Sequence, residues 1–200
     1  MSQTPQTRRY WFVDFAEAEE MTLPPGENSL PGVDAPTVEA LFRSHYARIT
    51  AMLARLTGDR GHAEEIAADV FHKLSRRPEL LRDRADITPW IYRVATNAGL
   101  DALRVNSRRR KREDASAGPH VTHSNALESI LREERCERVR TVLEKLKPRE
   151  AQLLLLRSDG LAYRELAESL GIHQASVGTT LARAEAEFER RYRALYGEEV

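Results

Sequence analysis

Residues 160–184 read GLAYRELAESLGIHQASVGTTLARA, a stretch that predicts two helices joined by a tight turn. Gly171 permits the turn because it has no side chain, and Ala167 is small where the two helices must cross. The apolar positions that would anchor the second helix are Ile172, Val177 and Leu181. This spacing is typical of a helix-turn-helix, whose second helix keeps one face free for duplex DNA. Any helical hairpin shows part of the pattern, so the pattern alone leaves the function open.

Helical periodicity extends from this motif in both directions. Before it, apolar residues recur from Leu127 up to Pro148, and residues 149–160 (REAQLLLLRSDG) predict a further helix. The second helix of the motif is expected to run from about Gln174 to Tyr196. Because the connections are only a few residues long, we expect residues 127–200 to form one compact helical domain.

A second helical domain is predicted over residues 37–112. Apolar residues recur at helical spacing from Val38 to Leu56 and again from Ala63 to Leu74. A third helix should begin at Thr88-Pro89, with Thr88 as its N-cap and the proline at the first helical position.

The rest of the chain separates or precedes these domains. Residues 113–126 (EDASAGPHVTHSNA) are small and polar and predict a linker, acidic at its start, while residues 1–36 contain five prolines and predict a disordered arm. The predicted fold class is therefore all-α: two small helical domains joined by a flexible linker, the C-terminal one a helix-turn-helix.

Charge is unevenly distributed although the chain has 31 basic and 31 acidic residues. Residues 37–112 hold 16 basic and 9 acidic residues, which suggests a polyanionic partner for this domain.

Cys136 is the single cysteine, so an internal disulfide and a thiolate zinc site are both excluded. The sequence contains no apolar run of the roughly 18 residues that span a membrane and no signal peptide, so a cytoplasmic protein without membrane insertion is expected.

Two polar faces of the first domain can carry function. In WIYRVATNAGLDALR (residues 90–104), an aromatic residue, an amide and guanidinium groups share one helix face and lead into the basic run 108–112. Stacking rings with nearby cations suit unpaired bases, and the basic run suits phosphates. The alternative is a solvated face with Trp90 half buried and Asp101 paired to Arg104.

The second face lies in HAEEIAADVFHKL (residues 62–74). Glu65 and Asp69 are four residues apart, with Glu64 beside them, so like charges meet on an exposed helix face. A basic partner surface would relieve this repulsion, and the alternative is an ordinary charged face.

Together, the order of these segments resembles a bacterial RNA polymerase sigma factor of the sigma-70 family, extracytoplasmic-function group, over about residues 38–196. The resemblance implies a non-enzymatic initiation factor without cofactor or metal. Its first domain would bind core RNA polymerase and would capture and melt the minus-10 element of promoter DNA, and its second would read the minus-35 element. It also implies a monomer when free and makes an anti-sigma protein a candidate partner.

Position by position, the resemblance assigns three sets of residues. The surface for core polymerase would comprise Glu64, Glu65 and Asp69. The minus-10 surface would comprise Arg82, Arg84, Arg93, Asn97, Arg104, Arg108, Arg109 and Arg110. The minus-35 surface would comprise Tyr163, Arg164, Gln174, Ala175, Ser176, Thr179 and Arg183.

The recognition helix departs from the family pattern. Gly178 and Thr180 stand where relatives usually carry lysine and arginine, and Arg183 is the only Lys or Arg between His173 and Arg190. We therefore expect weak minus-35 binding, through shape and hydroxyl contacts, or a helix that mainly contacts polymerase.

Two other function classes compete with this interpretation. A stand-alone helix-turn-helix transcriptional regulator would explain the second domain and leave both polar faces of the first unused. An enzyme would need clustered reactive groups, and the six histidines show no metal-ligand spacing.

Overall fold

The computed structural model describes residues 36–82, 86–113 and 127–197, and within these ranges the secondary structure is entirely helical. The helices are α1 (Val38–Thr57), α2 (Arg60–Ser75), α3 (Glu79–Arg82), α4 (Thr88–Glu113), α5 (Leu127–Lys145), α6 (Pro148–Ser158), α7 (Tyr163–Leu170) and α8 (Gln174–Tyr196). The predicted N-terminal arm and nearly all of the predicted linker lie outside the described residues. None of the described helices has an apolar stretch sufficient to cross a bilayer.

The first domain packs α1, α2 and α4 around one core. The Thr37 side chain accepts a hydrogen bond from the Ala40 N–H at 3.2 Å and caps α1, and Asp59 caps α2 in the same way. Gly99 brings α4 close to α1, because a Cβ at this position would lie 2.6 Å from Leu53 Cδ2. The predicted three-helix core is confirmed.

Helix α4 differs from its prediction at both ends. It includes Thr88, so Thr88 is not the N-cap; instead the Asp86 carboxylate accepts the Thr88 N–H at 2.9 Å. At its other end, α4 continues through the basic run to Glu113, so the predicted DNA-binding arginines of that run lie on a helix.

The second domain comprises α5 to α8, and α7 and α8 form the predicted helix-turn-helix. Gly171 ends α7 in the left-handed conformation, with φ of 62°, and its neighbour Ile172 donates its N–H to the Ala167 carbonyl. Val177 and Leu181 are buried, as the apolar spacing predicts. Ala162 has no capping side chain, but the Glu165 carboxylate accepts the Ala162 N–H at 2.6 Å.

The two domains pack against each other, which the sequence did not predict. Helix α4 of the first domain contacts α6 and α7 of the second, and α5 contacts both α1 and α4. Arg140 on α5 illustrates the fit: its side chain is 4% exposed and donates to the Arg55 carbonyl of α1 at 3.1 Å. The apolar cores of the two domains are continuous.

Candidate nucleic-acid interface

The acidic face of the first domain lies on α2. Glu64, Glu65 and Asp69 are all exposed on this helix, as predicted. The Arg60 Nε lies 3.1 Å from Glu64 Oε1, and the His62 Nδ1 lies 3.4 Å from Glu65 Oε2. Glu64 therefore has a guanidinium as counter-charge on its own helix, whereas Glu65 contacts an imidazole and stays 80% exposed, so Glu65 and Asp69 are the pair best placed to meet a basic partner.

The polar face of α4 divides into two parts. Arg93 and Asn97 are exposed, so their side chains are accessible to a ligand. Trp90 is partly buried against the core, and Arg104 lies 3.2 Å from the Asp101 carboxylate. At Trp90 and Arg104 the structure therefore agrees with the alternative interpretation, in which Trp90 is half buried and Asp101 pairs with Arg104.

The basic run forms the last turns of α4. Arg108, Arg109 and Arg110 are exposed there, and the Arg110 guanidinium lies 2.7 Å from the Glu137 carboxylate of α5. Although burial opposes it, Arg140 and Arg110 hold the pKa of Glu137 below its ordinary value. Among the other predicted minus-10 residues, Arg82 is exposed on α3, and Arg84 lies outside the described residues.

The predicted minus-35 residues occupy the outer surface of the helix-turn-helix. Tyr163 and Arg164 are exposed in the first turn of α7, and the Arg157 guanidinium lies 5.6 Å from the centre of the Tyr163 ring. The predicted residues on the first half of α8 are all exposed: Gln174, Ala175, Ser176, Thr179 and Arg183. The structure thus brings all seven onto the α7 and α8 pair.

Several polar side chains of α8 are already bonded within the helix itself. The Thr179 and Thr180 hydroxyls donate to the Ser176 carbonyl, at 3.1 and 2.7 Å, rather than pointing to a ligand. Farther along, Glu187 bonds both Arg190 and Arg191, and these hydrogen bonds lower the pKa of Glu187 to about 2. The later arginines are therefore paired with a carboxylate of their own helix.

Sequence reasoning missed the polar side chains between the two domains. Gln152 is buried within the apolar run of α6, Asp159 follows that helix, and Ser169 is buried on α7. Gln152, the one polar residue in AQLLLL (residues 151–156), was the available signal that this face of α6 meets a polar surface. Across the described ranges, no group of three or more His, Cys, Asp and Glu side chains is arranged to hold a metal ion.

Two family models match the chain in the order of its two domains. The model of sigma-70 region 2 matches residues 41–109, and a model of sigma-70 region 4 matches residues 136–188. The first match covers α1 to α4 up to the basic run, and the second covers the helix-turn-helix and most of α5 to α8.

Curated relatives agree with the models. RNA polymerase sigma factor YlaC of Bacillus subtilis is 29% identical over 157 residues, covering 77% of this chain and 91% of YlaC. The probable extracytoplasmic-function (ECF) sigma factor SigI of Mycobacterium tuberculosis is 29% identical over 152 residues, covering 72% of this chain. The ECF sigma factor SigE of Mycolicibacterium smegmatis is 26% identical over 176 residues, covering 82% of this chain and 65% of SigE. The chain spans about half the length of SigI, with 51% covered.

Proposed function

Because the chain belongs to the extracytoplasmic-function group of the sigma-70 family, we propose that its two domains contact polymerase and two promoter elements through the surfaces described above. The chain is a sigma factor, which directs RNA polymerase to promoters. The observation that carries this function is the presence of both sigma regions, in order, on two folded helical domains. None of these roles requires a catalytic residue in the chain itself.

Core RNA polymerase binds the acidic face of α2 in this proposal. Glu65 is 80% exposed, and Asp69 lies one turn farther along the same helix. A basic helical surface on the polymerase would balance both carboxylates, and the resemblance points to the clamp helices of the largest subunit. Repulsion between the two carboxylates favours the bound state, because the partner places cations beside both of them.

Promoter melting depends on the exposed part of α4. Arg93 and Asn97 offer a guanidinium and an amide to unpaired bases, and Arg108 and Arg109 lie farther along the helix, where they can bind phosphates. Arg104 forms an ion pair with Asp101 in this structure. We assign Arg104 to phosphate contact, because a DNA phosphate can take the place of the Asp101 carboxylate.

Minus-35 recognition belongs to the first half of α8. Gln174 and Ser176 lie at the exposed start of this helix, the part of a recognition helix that reaches base edges in the major groove. With Arg183 as the one cation of this stretch, we expect a weak contact that adds to the polymerase-bound complex rather than one that holds duplex DNA alone.

A stand-alone regulator is not favoured, because the region 2 match gives the first domain a role in the polymerase complex. Footprinting distinguishes the two classes directly. A sigma factor protects its promoter only with core polymerase, whereas a stand-alone regulator protects its site by itself. An anti-sigma partner and a monomeric free state remain predictions from the family.

The melting surface is tested by run-off transcription and permanganate footprinting with the triple variant Arg93→Ala, Asn97→Ala and Arg104→Ala. We expect this variant to co-elute with core polymerase but to lose the permanganate reactivity of melted thymines. A matched control replaces Arg43, Arg76 and Arg77, which are exposed cations of the same domain, by alanine. If the triple variant still opens the promoter as the control does, the α4 face is structural.

A further inference from the structure

A ladder of aromatic rings runs along the last turns of α8, away from its recognition end. The centres of the Phe188 and Tyr192 rings lie 6.1 Å apart, and those of the Tyr192 and Tyr196 rings lie 5.2 Å apart. Phe188 is fully buried, whereas Tyr192 and Tyr196 are only partly buried against the core. The ladder therefore leaves part of its aromatic surface exposed at one end of the second domain.

A groove on α5 adjoins this ladder. The groove has a volume of about 280 Å³, and its lining residues are Leu131, Glu134, Arg135 and Arg138. The Arg138 guanidinium lies 5.3 Å from the centre of the Tyr196 ring, so the groove and the ladder form one surface. We call this surface the α5–α8 groove, and Leu131, which is 47% exposed, provides its apolar wall.

The rim of the α5–α8 groove carries two arginines against one carboxylate. That carboxylate, Glu134, is bonded to Arg138 at 2.7 Å, so its charge is balanced within the rim. Arg135 is exposed beside them on the same helix. Because aromatic rings suit the ladder and carboxylates suit guanidinium groups, an occupant of this groove should combine aromatic with acidic side chains.

One segment of the same chain has this composition. Residues 10–15 read YWFVDF and hold four aromatic side chains within six positions. Four carboxylates follow between residues 14 and 20, and no lysine or arginine occurs from residue 10 to residue 35. Few aromatic residues are typical of disordered segments, so residues 10–15 depart from the composition that predicts disorder for the arm as a whole. The segment matches the α5–α8 groove in both its aromatic and its acidic content.

The chain is long enough for this segment to reach the groove. Twenty residues separate Phe15 from Pro36, where the described part of the first domain begins, and they can span roughly 66 Å at about 3.3 Å per residue. The longest helix, α4 with 26 residues, measures about 39 Å, and α5 contacts α1, which begins beside Pro36. Because both partners belong to one chain, a contact of modest strength is sufficient for docking.

We propose that residues 10–20 dock in the α5–α8 groove. The aromatic side chains contact Leu131 and Tyr196 in this arrangement, and the carboxylates lie beside Arg135 and Arg138. Docking covers the apolar end of the second domain and leaves the first half of α8 open to DNA. The proposal does not rest on the proposed promoter function, because it concerns a surface that none of the polymerase and DNA contacts assigned above uses.

Tryptophan fluorescence of the full chain tests the docking. The protein has two tryptophans, so a parent protein with Trp90→Phe reports on Trp11 alone. We expect a blue-shifted Trp11 emission that acrylamide quenches poorly. Leu131→Glu places a charge on the apolar wall of the groove and should lower the ratio of docked to undocked chain by about tenfold or more. The emission should then shift to the red, and quenching by acrylamide should increase.

The matched control is Val105→Glu, which introduces the same charge at an exposed apolar position of a helix in the first domain. This control should keep the emission and quenching of the parent. If Leu131→Glu loses helicity by circular dichroism, Phe15→Ser tests the same contact from the segment, which leaves the groove itself intact. Its own control is Leu23→Ser, an equally polar change outside residues 10–20.

The remaining outcomes each contradict the proposal. Trp11 emission typical of a solvated indole in the parent would overturn docking altogether. Parent-like emission in a folded Leu131→Glu protein, or in Phe15→Ser where that variant decides, would overturn the groove as the docking site. A blue shift that disappears on dilution would identify a second copy of the chain as the occupant. Failure of the chain to bind core polymerase contradicts the proposed function and leaves these readings unchanged.

Discussion

The clearest quantitative prediction concerns the missing cations of α8. Gly178 and Thr180 are half-buried, on either side of the exposed recognition face that includes Thr179. A Cβ at Gly178 would lie 3.8 Å from Tyr163 Cε2, an ordinary contact, so the backbone tolerates a side chain there. The double variant Gly178→Lys with Thr180→Arg therefore places two cations where they can reach the phosphates beside a major groove.

The magnitude follows from counterion release. Each neutralised phosphate contributes about −0.9 to the slope of log affinity against log salt, so two new contacts should steepen the slope by about 1.8. Between 50 and 200 mM salt, that difference corresponds to about a tenfold greater loss of affinity. Removal of Gly178 should also stabilise the helix by about 1 kcal/mol, and this gain is separable because it does not depend on DNA.

The assay is fluorescence anisotropy of a labelled minus-35 duplex across a salt series, with the full chain. The control variant, Ala194→Lys with Leu195→Arg, adds the same charge at exposed positions of the same helix. Those positions lie about 24 Å from the recognition end, at 1.5 Å per residue, which exceeds the Debye length of roughly 8–10 Å. We therefore expect the slope of the control to stay near that of the parent.

Two results would contradict this reasoning. A parent chain that already binds the duplex tightly, with a steep slope, would mean that residues other than the first half of α8 meet the phosphates. Equal steepening by the control and the recognition-helix variant would mean that net charge, not the position of the cations, sets the affinity.

Three further predictions test the other surfaces and the packing. Reversing the acidic face with Glu65→Lys and Asp69→Lys should abolish co-elution with core polymerase at unchanged helicity; retained co-elution would remove that assignment. Burial, reinforced by Arg48, lowers the pKa of His45, so the folded chain binds fewer protons than the unfolded chain, and thermal stability should fall as pH drops below about 6.5. The side chains that face His45 are Arg48, Asp86, Tyr92 and Glu165. His45→Gln should show a smaller fall over the same range, and an identical fall would exclude this histidine as its source. Gly99→Ala should lower the free energy of unfolding by about 1–3 kcal/mol in urea titrations, because its Cβ would overlap Leu53. An unchanged midpoint would show that α1 and α4 can move apart to fit the Cβ without loss of stability.

The sequence predicted the elements whose causes are local. Helix α8 was expected from about Gln174 to Tyr196, and the structure has these bounds because apolar residues recur regularly and Gly171 provides the turn before it. The helix-turn-helix and the three-helix core of the first domain were predictable for the same reason. Each depends on spacing within about twenty residues.

The features that the sequence did not predict depend on distant contacts. The basic end of α4 has no apolar period, yet Ser107 and Arg110 are held by acids of α5 that lie 37 and 27 residues away along the chain. Asp159 is separated from Arg48 by 111 residues, so no local pattern could pair them. The exposure of Arg93 and the pairing of Arg104 were likewise undecided between the two interpretations of one helix face.

The interface also places carboxylates of the second domain against arginines of the basic first domain. Residues 37–112 carry an excess of seven positive charges, and the second domain places Asp159 and Glu137 against the arginines of that domain. A phosphate that binds Arg110 must therefore displace the Glu137 carboxylate rather than only salt ions. Since displacing a carboxylate releases no counterion, the free chain should show a shallower salt slope than its number of phosphate contacts implies.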